Sequence, residues 1–423
     1  MIAGLAHVLA RPPIPPIETR EDLIDALSLA AEIEHAIMCQ YLFAAFSVDR
    51  SNPALEPEQV EVARTFTIEL LAIARQEMAH LGMVTNLLVA IGAAPDFDRP
   101  NLPLQRDYYA LDHRFALLPL GDEFLALAVR LEEPLPRAAS GGDAPTPGYL
   151  SVAAIYDRIQ VGLATLGAPG APTAATLFIG ARDPQISNAD FGATPNQIWY
   201  DVTLLPVTDL ASALAAIALI RAQGEGATAT DPRSHYSVVR QLAASWAAMS
   251  PAARAAMRKP VPANPLARER GDVDPTVECV VLRDPRTVAL ARLANRAYEL
   301  TLLLLSRLYG ANDATPADRD AYRKYAFFPL MTIVVRPVGE ILTELPAGDG
   351  IHCGVCTFEL EGPIRTFPDR RTFHVQLVER LTHLAEGFAA VAAMSGVPAR
   401  LAFVAQNVAY VRDRVRTYSV EQP

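Results

Sequence analysis

Three side chains in the first quarter of the chain have the types and spacing of a metal site. Glu77 and His80 stand three apart in RQEMAHLGMVTNLLVAIG, and Glu34 stands in EIEHAIMCQYL. Residues three apart on a helix share a face, about one turn from each other. A carboxylate and an imidazole so placed can hold one metal ion together. A Glu on one helix facing a Glu-x-x-His on its neighbour is half of the dinuclear carboxylate site built inside four-helix bundles. Glu-x-x-His is also common on solvated helix faces, so the neighbours decide. Ile73 and Leu81 stand four residues either side of Glu77, and Leu87 stands seven beyond His80. Leu27 precedes Glu34 by seven, and Met38 and Tyr41 follow it by four and seven. These acids lie along apolar stripes, where an unpaired carboxylate would be costly. The pattern assigns Glu34, Glu77 and His80 to a metal rather than to solvent. Glu32 and Glu69 fall at the margin, partly exposed or in contact with ligands. His35 points about 100° away from Glu34 around the helix and reads as structural.

The elements that must position these residues are two long helices. Residues 31–92 are rich in good helix formers with apolar residues at helical spacing. The first helix is predicted to begin near Thr19, with Asp22 in its first turn, and to run through Ser47. The second is predicted from Pro57, a residue favoured at first helical positions, to Gly92. Residues 1–20 read as an irregular lead, with Pro12, Pro13, Pro15 and Pro16 preventing a helix. FALLPLGDEFLALAVRLEEPLP is expected as a short helix or extended cover, and SGGDAPTPG as a loop. A third bundle helix is expected around YLSVAAIYDRIQVGLATLG, where Tyr156 and Asp157 stand at inward positions. A bundle of this class usually places a Glu there, and this sequence has none.

The second half of the site must come from further along. Asp209 is the predicted N-cap of LASALAAIALIRAQ, which ends in Gln223-Gly224-Glu225-Gly226. Ser234 is the predicted N-cap of the next helix and puts His235 in its first turn. A helix N-terminus favours neutral imidazole, the form that binds metal. Glu225 and His235 could therefore complete the site, or mark a capped turn with a surface His; the local pattern admits both. From residue 251 the texture changes to a further helical region, with predicted helices over 284–309, 315–345, 372–395 and 398–418. Its Glu379 and His383 read as an ordinary helix-face pair. The expected organisation is a lead over 1–20, a metal-binding bundle over 21–250 and a C-terminal helical extension over 251–423.

Composition narrows the function classes. The chain has 423 residues, 51% hydrophobic and 20% charged, with net charge −10. An acidic chain without a basic run is a poor candidate for nucleic-acid binding. Four cysteines make no disulfide framework. Cys353 and Cys356 form a C-x-x-C in a Gly-rich loop and read as reduced thiols. The N-terminus lacks the basic region of a signal peptide. The charge-free run over 161–181 is too broken by Gly and Pro to span a membrane. The expectation is a cytoplasmic protein.

EIEHAIMCQYL, RQEMAHLGMVTNLLVAIG and QGEG…SHY, in that order over about residues 20–250, resemble the ferritin-like domain of iminophenyl-pyruvate dimer synthase. That family couples amino-acid-derived imines in the violacein and indolocarbazole pathways. The resemblance implies an all-α ferritin-like four-helix bundle with long loop insertions. It implies a metal-facing set of Glu34, Glu77, His80, Glu225 and His235, with the fourth helix interrupted. It further implies iron (two ions, or iron with manganese), O₂ and a small substrate as partners. Glu77 would bridge the metals, and Gln40, Tyr41 and Tyr156 would support the ligands or line the pocket. The rival readings are a ferritin-like protein that binds metal without turnover and a scaffold protein with degenerate acids. Apolar helical surfaces also make a homo-oligomer plausible.

Overall fold

The computed structural model describes residues 15–105, 108–109, 111, 114–134, 151–191, 202–224, 231–310 and 312–418. Among the described residues the chain is all-α apart from two-residue strands. Helix α1 (Arg20–Phe46) begins at a capping box in which Thr19 and Asp22 satisfy each other's backbone amides. Helix α2 (Pro57–Ala90) starts at Pro57, whose missing N–H costs nothing in a first turn. The two pack along their lengths as a helical hairpin. A short amphipathic helix, α3 (Asp122–Leu131), follows; Glu132 caps its C-terminus and Pro134 bars its extension. Helix α4 (Val152–Leu166) is capped by Ser151 and packs on α1, and α5 (Leu210–Gln223), capped by Asp209, packs on α4 and α2. Helix α6 (His235–Ala248) is capped by Ser234 and lies against α3 and α2.

Helices α1, α2, α4 and α5 form the bundle; α6 lies against α2, with α3 packed on α6. The interior runs from Leu23 and Leu27 on α1 through Leu70, Ile73 and Leu87 on α2 to Ile159 and Leu163 on α4, all fully or nearly fully buried. Apolar burial at about 25 cal/mol per Å² supplies the cohesion that permits polar groups in the same interior.

The remaining helices wrap the other side. Helix α7 (Pro251–Ala256) leads to paired parallel strands β1 (Pro265–Leu266) and β2 (Val280–Val281). Helix α8 (Pro285–Tyr309) packs on α2, and Tyr298 from its middle hydrogen-bonds His35 of α1. His35 is thus fully buried and structural. Helices α9 (Pro316–Tyr322) and α10 (Arg336–Leu342) are joined by π-helical turns over Arg323–Phe327 and Leu330–Val335. Each π run ends two residues before a proline, Pro329 or Pro337. A proline cannot donate to the carbonyl four residues earlier and clashes with it. The widened turn accommodates the ring, and the carbonyl four before Pro337, on Ile333, accepts from Asn407 Nδ2 at 2.9 Å. The run Pro316–Leu342 is long and apolar enough to cross a membrane by length and composition, and it packs between α8 and α12. Helices α11 (Arg370–Ala392) and α12 (Leu401–Thr417) close the chain as a second hairpin. Glu379 and His383 are exposed on α11. All four cysteines are free.

Candidate metal centre

Among the described residues, two clusters of metal-ligating side chains lie in the bundle, and they share one residue. Glu34, Glu77 and His80 form the first; Glu77, Glu132 and His235 form the second. Within each cluster one ligand atom from every residue lies within 4.8 Å of the others. Glu34 and Glu77 are fully buried, as are His80 and His235, and Glu132 is 2% exposed.

Helical geometry sets the first cluster. Glu77 and His80 project from one face of α2, with His80 Nδ1 3.1 Å from Glu77 Oε2. Glu34 meets them from α1, its Oε2 3.5 Å from the same Nδ1. The second cluster is assembled by the caps. Ser234 fixes the start of α6, so His235 enters the bundle from the first turn. Its Nδ1 lies 2.9 Å from Glu77 Oε1 and 3.4 Å from Glu132 Oε2. The two oxygens of Glu77 thus serve one histidine each. The imidazole rings stand 5.5 Å apart across it.

Neighbouring side chains hold every member in place. Tyr156 of α4 donates to Glu34 Oε1, and Tyr41 of α1 donates to Glu132 Oε1 at 2.6 Å. Each phenol takes one oxygen of an outer carboxylate and leaves the other facing inward. His80 Nε2 lies 3.1 Å from Gln223 Oε1, and His235 Nε2 lies 2.6 Å from Gln76 Oε1.

The inward atoms are the test of what fits. Glu34 Oε2, Glu77 Oε1, Glu132 Oε2 and His235 Nδ1 are buried without a hydrogen-bond partner. Buried acceptors pointing at one another are costly unless a cation or protons lie between them. Gly224, at the end of α5, leaves room beside them: a Cβ there would stand 2.8 Å from His235 Nδ1 and 3.4 Å from His80 Cε1. Carboxylate oxygens and imidazole nitrogens suit iron, manganese or zinc, so the residues present fit a metal pair.

Without metal, protons must take that place. Burial and the charge of Glu77 push Glu34 up to about 8. Burial would raise Glu77 too, but the charges of His235 and His80 hold it well below the usual carboxylate range. Burial would lower both histidines; Glu77 and the outer carboxylates overcome it, raising His80 well above its ordinary value and His235 to about 9.

The structure brings Glu34, Glu77, His80 and His235 together, with Tyr41 and Tyr156 in support. Glu225 lies outside the described residues. Gln40 donates to the Ala116 carbonyl at 3.0 Å and, among the described residues, makes no hydrogen bond to either cluster. Asp157 pairs with Arg221 at 2.6 Å, away from the clusters. Glu132 is the residue that the sequence pattern did not reveal. It supplies the carboxylate missing from the third bundle helix, from the end of α3 instead. The available signal was an acid between a short amphipathic helix and a proline, in RLEEPLP. Gln76, beside Glu77, was likewise unmarked.

Residues 27–244 match the ferritin-like family model, and the chain belongs to the ferritin-like family. Among curated proteins it is 30% identical over 412 residues to dichlorochromopyrrolate synthase of Lentzea aerocolonigenes, covering 88% of this chain and 39% of that protein. It is also 30% identical over 380 residues to 2-imino-3-(indol-3-yl)propanoate dimerase of Chromobacterium violaceum, covering 82% of this chain and 35% of that one. The chain therefore spans less than half the length of these biosynthetic relatives. A solved ferritin-like protein from Caulobacter vibrioides overlays with a TM-score of 0.49 at 17% identity, over 82% of this chain and all of that one.

Proposed function

We propose that this chain is a metal-dependent oxidative enzyme of specialised metabolism that holds two metal ions in its bundle. The observation that carries the reading is the sharing of buried Glu77 between two Glu/Glu/His clusters. We take the metal to be iron, or iron with manganese, from the resemblance, and the Glu/His donor set suits either. Bound there, it would supply the redox chemistry for reaction with O₂. Glu77 would bridge the ions. Glu34 with His80 and Glu132 with His235 would complete the two ends. Glu225 stays in the set on the strength of the resemblance. Tyr156 and Tyr41 orient the outer carboxylates and keep a proton at each Oε1. Burial excludes bulk water from the centre.

The substrate class we carry over is an amino-acid-derived imino acid, from the name of the Chromobacterium violaceum relative. Joining two such molecules with loss of one hydrogen from each releases two electrons and two protons. O₂ that accepts them becomes hydrogen peroxide. The proposed partners are thus O₂ and a small molecule, not nucleic acid or membrane, and the proposed compartment is the cytoplasm.

Elemental analysis of anaerobically purified protein tests the centre. The wild type is expected to hold about two metal ions per chain. Glu77→Ala should lose both and Glu132→Ala mainly one, with helicity retained. A wild type that takes up no metal, even after reconstitution, would refute the enzyme reading and leave the scaffold reading.

A further inference from the structure

We propose, resting on the metal-centre reading above, that Gln76 and Gln223 are positioning residues that present both histidines to metal through Nδ1. A neutral imidazole has one N–H and one bare nitrogen. Which nitrogen carries the proton is set by the partner of the other. His80 Nε2 faces Gln223 Oε1 at 3.1 Å, and His235 Nε2 faces Gln76 Oε1 at 2.6 Å. An amide oxygen only accepts, so each Nε2 carries the hydrogen. Each Nδ1 then faces the shared carboxylate, at 3.1 Å for His80 and 2.9 Å for His235. Without metal a proton on Nδ1 spans this gap; with Nε2 already holding a hydrogen, Nδ1 is the nitrogen left to a metal ion that displaces that proton.

The brace is crossed. Gln76 stands on α2 beside Glu77 but holds the histidine of α6. Gln223 stands on α5 and holds the histidine of α2. The next residue, Gly224, lies against both rings. The three helices that carry the centre's middle are thereby tied through the two rings.

The choice of amide follows from charge. The two clusters contain three different carboxylates, Glu34, Glu77 and Glu132. With neutral histidines these carry a charge of about −3, or about −4 with Glu225, against about +4 for two divalent ions. A carboxylate acceptor behind each histidine would add further negative charge. A glutamine fixes the proton on Nε2 and adds none.

The test uses the full chain loaded with Zn(II) alone and labelled with ¹⁵N-histidine. Long-range ¹H–¹⁵N spectra are expected to give metal-bound Nδ1 and protonated Nε2 for His80 and His235. Gln76→Leu should expose the Nε2–H of His235 to exchange and weaken Zn(II) binding by about tenfold to hundredfold in a chelator competition. Gln223→Leu should do the same at His80. Gln76→Glu and Gln223→Glu keep an acceptor and should restore the protected Nε2–H signals. Zn(II) bound through Nε2, or leucine variants that match wild type in spectra and affinity, would overturn the brace while leaving the centre intact. A wild type that binds no Zn(II) would overturn the centre and the brace with it.

Discussion

Gly224→Ala should weaken metal binding beyond its cost to the metal-free fold, because its Cβ would meet a ligand nitrogen. Gly224 has a negative φ, −123°, so it is not a left-handed cap that requires glycine. Its hydrogen faces His235. A Cβ would stand 2.8 Å from Nδ1 and 3.3 Å from Cε1. Contact becomes ordinary from 3.4 Å, so the ring must retreat by about 0.6 Å. The ring is buried and held at Nε2 by Gln76, so the retreat is not free. Metal–nitrogen bonds tolerate about 0.2 Å, and the displacement is about three times that. Loss of one ligand should weaken the ion at His235 about 100-fold, or about 2.7 kcal/mol. In metal at about 1,000 times the wild-type Kd, that ion contributes about 4.1 kcal/mol of stability, and in the variant about 1.4 kcal/mol. Without metal the forced shift of the buried ring should cost about 1–3 kcal/mol, offset in part by about 0.4–1 kcal/mol because alanine restricts the unfolded chain. Chemical denaturation with and without Zn(II) measures both quantities. A variant whose metal-dependent stabilisation equals that of wild type would refute the placement of Gly224 against the centre.

Glu77→Gln keeps the shape of the shared ligand and removes its charge from both clusters, so both ions should weaken by at least about tenfold; calorimetric titration that finds only one affinity changed would contradict the sharing. Tyr156→Phe leaves Glu34 Oε1 buried without its donor and should cost about 1–3 kcal/mol of stability in urea unfolding without added metal; a change below about 0.5 kcal/mol would show that the phenol does not hold the carboxyl. Burial, reinforced by Asp96, pushes Glu32 up to about 7, above its ordinary 4.5. The stability this confers is present below pH 4.5 and falls as pH rises through 7, because the unfolded chain sheds the proton first. Glu32→Gln should lack that fall between pH 5 and 7.5, and urea midpoints at the two pH values would expose an unchanged slope.

Local chemistry fixed most of the helices before any packing was known. Thr19 with Asp22, Pro57, Asp209 and Ser234 start α1, α2, α5 and α6 because each satisfies, or does not need, the backbone amides of a first turn. Helical periodicity put Glu34, Glu77 and His80 on buried stripes, and it needs only 3.6 residues per turn to do so. His235 was placed in a first turn by the same reasoning. What the sequence could not determine was which acid would stand opposite His235. Glu132 follows a short helix 55 residues beyond Glu77, and no periodicity links it to either histidine. Only the packing of α3 against α6, with Tyr41 gripping Glu132 from α1, brings its free oxygen to 3.4 Å from His235. The crossing of Gln76 to His235 and of Gln223 to His80 is likewise a product of three helices meeting. Spacing along one helix dictates which residues share its face, but the partner of a side chain across the bundle depends on how separate helices pack.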